Sequence, residues 1–389
     1  MAACNPEPAG NRAQVLVLGL PVGGGHMAAG RSIGRQLEAA CPGLFEVRVT
    51  DLSKHVQVNG RSISRFVAQF YGWSVSSLGG LPYRILYDYA DRNPETIVRA
   101  TSRLFGEAAG GWLRRQRPDL LIATHPLVMH VAAAAFRDAP VGLIGVVTDG
   151  GRVNRLWWAD QPHLLLVSHD DIVGQALKAG VAPSRVQNVG LLADPVLSSP
   201  GAQRSAQASM GLGEDLTILL AGGGLGFGPN LRRFAECFGR IQPSPKVQFL
   251  VATGTNAALR AAVSTALRSF SVVQCPVSDM TAALLAADMV IGKAGWLTLS
   301  ECITAGKPVI MLDSIPGQEE ENARFAESLG IGRRMSVDQA QAAVSKYARD
   351  PDLLAADFVA RRDLYNPLLG AHLASLATAL LGEMRAARA

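Results

Sequence analysis

Histidine 26 follows three glycines, Gly23-Gly24-Gly25, just past the apolar run Gln14 to Leu20. Glycines in such a place let backbone N–H groups close on a ligand, and the start of the helix that follows suits anions and polar transition states. The same helix end disfavours a cationic imidazole, so His26 is expected neutral, and a neutral imidazole is a base. A second glycine loop, Gly222-Gly223-Gly224-Leu225-Gly226-Phe227-Gly228-Pro229, follows the run Leu216 to Ala221. Neither loop ends in Gly-Lys-Ser/Thr, and Gly292-Lys293-Ala294 lacks both the spacing and the hydroxyl, so neither is a Walker loop. Gly23-x-Gly25-x-x-Ala28 formally satisfies a dinucleotide fingerprint, with Asp51 placed as a ribose-binding acid, and nicotinamide chemistry stays open on that ground. His26 stands against it, because a pyrophosphate at that turn needs small residues. The cysteines at 4, 41, 237, 275 and 302 form no CxxC pair and the seven histidines no zinc-holding spacing, so no metal site and a reducing compartment are expected.

These residues need a scaffold, and 389 residues are enough for two domains. With 48% hydrophobic and 18% charged residues there is ample side chain to bury, and a net charge of +5 is too dilute to imply nucleic acid. Strand-length apolar runs at Gln14 to Leu20, Phe45 to Thr50, Asp119 to Thr124, Val141 to Thr148, His163 to Val167 and Val186 to Val189 alternate with helical stretches such as Asp170 to Ala179. A second series follows at Leu216 to Ala221, Gln248 to Ala252, Met289 to Ile291 and Pro308 to Leu312. This is an α/β chain that repeats one parallel architecture twice. The expected division is a first domain over residues 12–193, a Pro/Ser/Gly/Ala/Gln-rich linker over 194–212, a second domain over 213–366 and a C-terminal helix over 367–389. In that helix Leu369, Leu373, Leu376, Leu380 and Met384 recur at steps of three and four, which reads as an amphipathic helix packed on the body. Met1 to Arg12 is polar and proline-containing, unlike a signal peptide, and no uninterrupted apolar run approaches bilayer length.

The strings GGGHMAAG, GGGLGFGP, KAGWLTLSE and IPGQEEENA, with THP at Thr124 to Pro126, VTD at Val147 to Asp149 and PYRILYDYADRNP at Pro82 to Pro94, together resemble one family. It is that of the monogalactosyldiacylglycerol synthases and processive diacylglycerol glucosyltransferases, relatives of the bacterial MurG transferase, and the resemblance covers roughly residues 14 to 335. It implies a GT-B glycosyltransferase, two Rossmann-like domains facing across a cleft, inverting, with a nucleotide sugar held mainly by the C-terminal domain. By that resemblance Glu301 matches the acid on the uridine ribose hydroxyls, a task that suits a carboxylate with two acceptor oxygens. Gly223, Gly224 and Gly226 match the diphosphate turn, and Gln318 and Glu319 match the readers of the donor sugar. Gly25 on the first turn and Gly295, Trp296 and Thr298 in the third string complete the expected nucleotide-sugar set, and His26 matches the base. On its own chemistry the Glu319 to Glu321 run also reads as a solvated helix start, and Trp296 as either a stacking platform or a packing residue. The chain departs from the family at Leu225, where an acid is common, at Trp296, where glycine is usual, and at Asn154, near a usual histidine.

The acceptor side is expected from residues 54–117. This window holds ten Lys/Arg against four acids, a larger excess than the whole chain carries, and nine of the 23 aromatics. Arg61, Arg65, Trp73, Tyr83 and Tyr87 belong to it, a mixture suited to the headgroup layer of an anionic bilayer. It could also be an ordinary solvated helix pair. The expected activity is transfer of a hexosyl unit from a UDP-hexose to a lipid hydroxyl, on diacylglycerol or a glycolipid, giving a β-glycoside without a cofactor. His26 is the base, and Asp149 either orients it or the acceptor, or caps a turn. The rivals are a GT-B enzyme acting on a soluble acceptor, and a nucleotide-sugar or NAD-binding protein without transferase activity. The expected location is the cytoplasm, peripherally on the inner membrane face.

Overall fold

In a computed structural model, which describes residues 12–388 apart from 59, 161, 200, 227, 242–245 and 277–279, the first apolar run forms β1 (Ala13–Gly19). Cys4, Phe227 and all of the polar N-terminal stretch but Arg12 lie outside the described residues. After β1 come α1 (Gly25–Ala40) and β2 (Phe45–Asp51), then a short antiparallel hairpin of β3 (Gln57–Val58) and β4 (Arg61–Ser62). Three helices follow, α2 (Ser64–Ser76), α3 (Leu81–Arg92) and α4 (Pro94–Arg115). The alternation then resumes with β5 (Leu120–Ala123), α5 (Pro126–Ala135), β6 (Gly142–Val146), β7 (Leu164–Val167), α6 (Asp170–Lys178) and β8 (Val186–Asn188).

Six of these strands make one parallel sheet in the order β2-β1-β5-β6-β7-β8. Successive side chains of a strand face opposite ways, and here both faces are covered. Leu16 and Leu18 of β1 join Leu121 and Ala123 of β5 in one core, while Val15 and Val17 join Leu120 and Ile122 in the other. That is why the strands read as continuous apolar runs rather than alternating ones. The chain adds β2 on one side of β1 and then returns to place β5 on the other, so the order reverses between β1 and β5. At such a reversal the loops beyond the strands' carboxyl ends part and leave a crevice.

A second series contains α7 (Ala202–Ser209), β9 (Leu216–Ala221), α8 (Pro229–Phe238), β10 (Val247–Ala252), α9 (Ala257–Ala266), β11 (Ser271–Gln274), α10 (Met280–Ala286) and β12 (Met289–Lys293). It continues through α11 (Trp296–Ala305), β13 (Val309–Asp313), α12 (Gln318–Ser328), β14 (Gly332–Arg334), α13 (Val337–Arg349) and α14 (Asp352–Asp357). Its parallel sheet runs β11-β10-β9-β12-β13-β14, with the reversal between β9 and β12. One face is filled by Ile218, Leu220, Phe249 and Val251 against Phe234 and Phe238 of α8, whose rings pack at 5.5 Å between Phe238 and Phe249.

Contacts divide the chain into two units, one running to Leu192 with Pro316–Gln318 and Asn366 onward, the other spanning Ala193–Ile315 and Glu319–Tyr365. Residues 194–212, read from composition as a linker, are built into the second unit. Pro195–Ser198 makes a 3-10 turn, and on α7 Gln203 donates to Asp288 Oδ1 at 2.6 Å and accepts from the buried Lys307 ammonium at 2.8 Å. The last helix, α15 (Leu369–Arg388), belongs to the first unit, where Leu369, Leu373, Leu380 and Leu381 are buried beside α1. The stretch Arg362–Ala387 is long and apolar enough by length and composition to cross a bilayer. Its leucines are spent on the core instead, as the steps of three and four predict. Cys41, just past α1, is disulfide-bonded, which the cysteine spacing did not indicate, while Cys237, Cys275 and Cys302 are not bridged.

Candidate active site

In the first unit the crevice at the β1/β5 reversal is lined by the turn after β1 and by the residues just beyond β5 and β6. His26, second residue of α1, directs Nδ1 to the Thr124 carbonyl at 2.6 Å, with the Thr148 hydroxyl 3.0 Å from the same nitrogen. A carbonyl can only accept, so Nδ1 carries the proton and Nε2 keeps its lone pair. The Thr124 hydroxyl in turn donates to the His26 carbonyl at 2.9 Å, closing a reciprocal clamp between the two strand ends. Burial pushes the His26 pKa down to about 4, with the Thr124 hydrogen bond working the other way. Its neighbour His125, edge-on at 4.7 Å between ring centroids, is driven well below the usual range, first by burial and then by His26 and His130. Both rings are therefore neutral at pH 7, and His26 keeps an unprotonated Nε2 outside the clamp.

Asp149, proposed from sequence as an orienting acid or a cap, does not occupy the orienting place, because Thr124 and Thr148 hold Nδ1. It is buried, and its carboxylate accepts from Gln318 Nε2 at 2.6 Å. Gln318 Oε1 accepts in turn from the Tyr83 hydroxyl at 2.9 Å. Tyr83 and Tyr87, grouped from sequence with the membrane-facing residues, instead point inward. Tyr83 packs against Tyr71 and Tyr87, and the Tyr87 phenol is held strongly protonated by burial, with the Asp149 charge adding to it. Gly25 opens α1 with free space where a Cβ would stand. Asp51, the would-be ribose acid of a dinucleotide site, is buried and already committed: Oδ1 accepts from the Ser53 N–H and hydroxyl, and Oδ2 from the Ser64 hydroxyl.

In the second unit the reversal lies between β9 and β12, and the glycine loop and the Lys293–Gly295 turn leave the sheet there. Gly226 has a φ of +63°, and a Cβ on it would come within 2.3 Å of the Thr253 carbonyl, so no other residue fits. Gly223 sits over Lys293, whose Cε lies 2.7 Å from the place a Cβ would take, and Gly224 accepts from the Thr255 N–H at 3.1 Å. The Lys293 ammonium pairs with Glu319 Oε1, and Glu319 Oε2 accepts from the Ile315 N–H at 2.9 Å; both side chains are nearly buried. Glu319 thus anchors Lys293 beneath the loop, rather than standing free to read a sugar. Gly295 precedes α11, on which Thr298 and Glu301 share a half-buried face three residues apart. Trp296 is buried with its ring edge-on to Phe325 at 5.6 Å, which settles the choice between stacking platform and packing residue in favour of packing. Among the described residues no three His, Cys, Asp or Glu side chains gather as metal ligands.

Arg61, Arg65 and Trp73 are exposed on β4 and α2. Sequence reasoning missed Thr124, Thr148 and Lys293 as site residues. The signal was present in their positions, one at the carboxyl end of a central strand and two just beyond, but threonine and lysine are common there for other reasons.

Two parallel sheets, each with its order reversing next to a glycine turn, define the GT-B class of architecture. MurG of Acinetobacter baumannii shares it at a TM-score of 0.56 and 17% identity, over 94% of this chain and 99% of that one. MnaA of S. aureus, solved with UDP, does so at 0.60 and 12%, over 96% and 97%. Residues 26–192 match the monogalactosyldiacylglycerol (MGDG) synthase family and residues 217–349 the glycosyltransferase family 28 C-terminal domain. Over these two stretches the chain is similar to the monogalactosyldiacylglycerol synthases and to the glycosyltransferase family 28 C-terminal domain. The chloroplastic monogalactosyldiacylglycerol synthase of Spinacia oleracea is 28% identical over 337 residues, 82% of this chain and 63% of that protein. Monogalactosyldiacylglycerol synthase 1 of Arabidopsis thaliana is 26% identical over 336 residues, 82% and 62%. The chain thus spans about three fifths of the length of these relatives.

Proposed function

We propose that this protein is a glycosyltransferase that moves a hexosyl unit from a UDP-sugar to a hydroxyl of a lipid, diacylglycerol or a glycolipid built on it, with inversion to a β-glycoside. The observation that carries the reading is the imidazole of His26, neutral and fixed through Nδ1 so that Nε2 is a proton acceptor. As the acceptor oxygen attacks the anomeric carbon, its proton passes to Nε2, and the bond from that carbon to the diphosphate oxygen breaks with its electron pair leaving on UDP. General-base help of this kind is typically worth about 10²- to 10⁴-fold. The second unit offers the backbone N–H groups of Gly223, Gly224 and Leu225, those of Gly222 and Gly226 being bonded to Ala252 and Gly223, and the Lys293 ammonium beneath the loop, which suit a leaving diphosphate without a cofactor. Glu301 is assigned to the ribose hydroxyls, as in the resemblance.

A lipid acceptor is supported by the family and by the surface of α2 to α4. Phe66, Phe70 and Trp73 pack on one another yet stay exposed, and Leu78, in left-handed backbone before Gly79, stands 81% exposed at a turn. Arg61, Arg65, Arg84, Arg92, Arg99 and Arg103 are exposed on β4 and the same three helices. Exposed apolar side chains on helices that also expose arginines fit an anionic bilayer, entered from its cytoplasmic side. The test is incubation with radiolabelled UDP-glucose and UDP-galactose in the presence of diacylglycerol vesicles. Label in a new β-linked lipid supports the reading; label only in a soluble acceptor, or calorimetry showing NAD but not UDP binding, overturns it.

A further inference from the structure

Thr124 and His125 are consecutive residues just beyond β5, and both meet His26. The Thr124 carbonyl fixes His26 Nδ1, and the His125 ring stands edge-on to the same imidazole, 4.7 Å between centroids. Gly19 at the end of β1 permits the closeness, since a Cβ there would lie 3.0 Å from the Thr124 hydroxyl oxygen. His125 is also the N-cap of α5. Pro126, at the first helical position, has no N–H, so the first donor the helix leaves without a backbone partner is that of Leu127, and His125 Nδ1 accepts it at 3.2 Å. A neutral imidazole has one acceptor and one donor nitrogen. Burial first, then His26 and His130, keeps His125 neutral, so with Nδ1 accepting, its proton sits on Nε2.

The two neighbouring rings are therefore fixed in opposite tautomers, His26 presenting an unprotonated Nε2 and His125 an Nε2–H. No described residue bonds either of these nitrogens, and neither is a buried atom that lacks a partner, so both are open to solvent. Capping α5 uses only the Nδ1 lone pair, which asparagine would supply as well, and leaves the Nε2–H with no structural task. An acceptor nitrogen beside a donor nitrogen suits a ligand that carries a hydroxyl and a second oxygen side by side. A donor placed on the attacking oxygen would draw on the electrons needed for attack, so the N–H belongs to the second oxygen. In diacylglycerol the carbon next to the free hydroxyl bears an ester oxygen, and in a glycolipid each sugar hydroxyl likewise has an oxygen on a neighbouring carbon. A plain long-chain alcohol has none.

We propose that His125 is a specificity-determining residue of the acceptor site, its Nε2–H received by an oxygen on the carbon next to the attacking hydroxyl, so that the site selects alcohols with a vicinal oxygen. The inference rests on the transferase function proposed above. Transfer from radiolabelled UDP-glucose and UDP-galactose is measured with dioleoylglycerol and with hexyldecanol, a branched two-chain primary alcohol lacking that oxygen. Both are carried in phosphatidylcholine vesicles containing phosphatidylglycerol. A soluble pair, glycerol diacetate with a free primary hydroxyl and isobutanol, is run beside them. Wild type should favour the vicinally oxygenated member of the pair it uses by at least about tenfold in kcat/KM. His125→Asn keeps a cap acceptor, so it should melt within a few degrees of wild type and yet lose about three- to tenfold of that preference, mainly through the acceptor KM. In His125→Gln the amide nitrogen reaches about as far as Nε2, so much of the preference should return although glutamine caps α5 poorly. A role confined to capping would give the opposite order, with His125→Asn like wild type and His125→Gln impaired. That order, or a wild type indifferent to the neighbouring oxygen, would overturn the inference. Transfer to the soluble pair alone would overturn the lipid reading, with the role of His125 then decided on that pair, and no transfer to any of the four would overturn both.

Discussion

The two strand-order reversals, one in each unit, are built alike and equipped differently. At β1/β5 the glycine turn leads to a histidine, and the neighbouring strand ends supply Thr124 and Thr148 to hold one of its nitrogens. At β9/β12 the glycine loop leads to no histidine; its neighbours are a nearly buried lysine held by Glu319 and a tightly constrained glycine at 226. In the proposed function the first arrangement moves a proton and the second holds the leaving diphosphate, so that one architecture serves two tasks through the few residues that follow the carboxyl ends of its central strands.

The largest effect expected from breaking this contrast is in the second unit. Lys293→Met leaves Glu319 buried without its cation, which should cost about 3–5 kcal/mol in denaturant unfolding. A loss under about 1 kcal/mol would mean that the pair is solvated and does not shape the loop. Next in size, Glu301→Ala should weaken UDP binding by about 1.5–3 kcal/mol in calorimetry, the value of a hydrogen bond to a charged group, with kcat at saturating donor changed much less. Unchanged affinity would remove Glu301 from the ribose site. Thr148→Val keeps the shape and deletes the hydroxyl on His26 Nδ1, so kcat/KM should drop by about 0.5–1.5 kcal/mol, a few-fold, since the Thr124 carbonyl still fixes the ring.

A pH series sharpens the same contrast. His26 and His125 titrate lower in the folded chain than in the unfolded one, so the unfolded state takes up protons first. The stability these rings contribute is present above about pH 6.5 and is lost as pH falls below it, in the case of His26 down to about 4. The melting temperature of the wild type should decline over that window, and a His26→Gln variant should show a shallower decline. The acid limb of the wild-type rate should correspondingly lie nearer pH 4 than 6.5.

The fold was legible where strands are buried on both faces, because such strands need unbroken apolar runs. Of the strands in the two large sheets, the sequence pattern does not mark β11 and β14, both sheet edges: Ser271–Gln274 is exposed at both ends, and Gly332–Arg334 reads as a turn with two arginines; the two-residue strands β3 and β4 are too short and exposed to leave a pattern. Helix α7 reads as linker because its Ala, Gln and Ser residues carry little hydrophobic pattern, and its anchoring through Gln203 is a long-range bond. In the site, His26 and the glycine loops announce themselves by type and spacing. Thr124 and Thr148 do not, because only the sheet order brings residues 98 and 122 positions away in sequence onto the histidine's Nδ1. The inward turn of Tyr83 and Tyr87 was hidden for a similar reason: aromatic composition assigns a helix to a surface but not each side chain to a face.

The central claim, that the first unit moves the proton and the second holds the nucleotide, is tested most directly by His26→Ala, with turnover and UDP affinity measured on the same preparation. Turnover should fall at least about 100-fold at saturating donor and acceptor while the Kd for UDP changes less than about twofold. Near-normal turnover in this variant, or a loss that follows a matching loss of UDP affinity, would contradict the division.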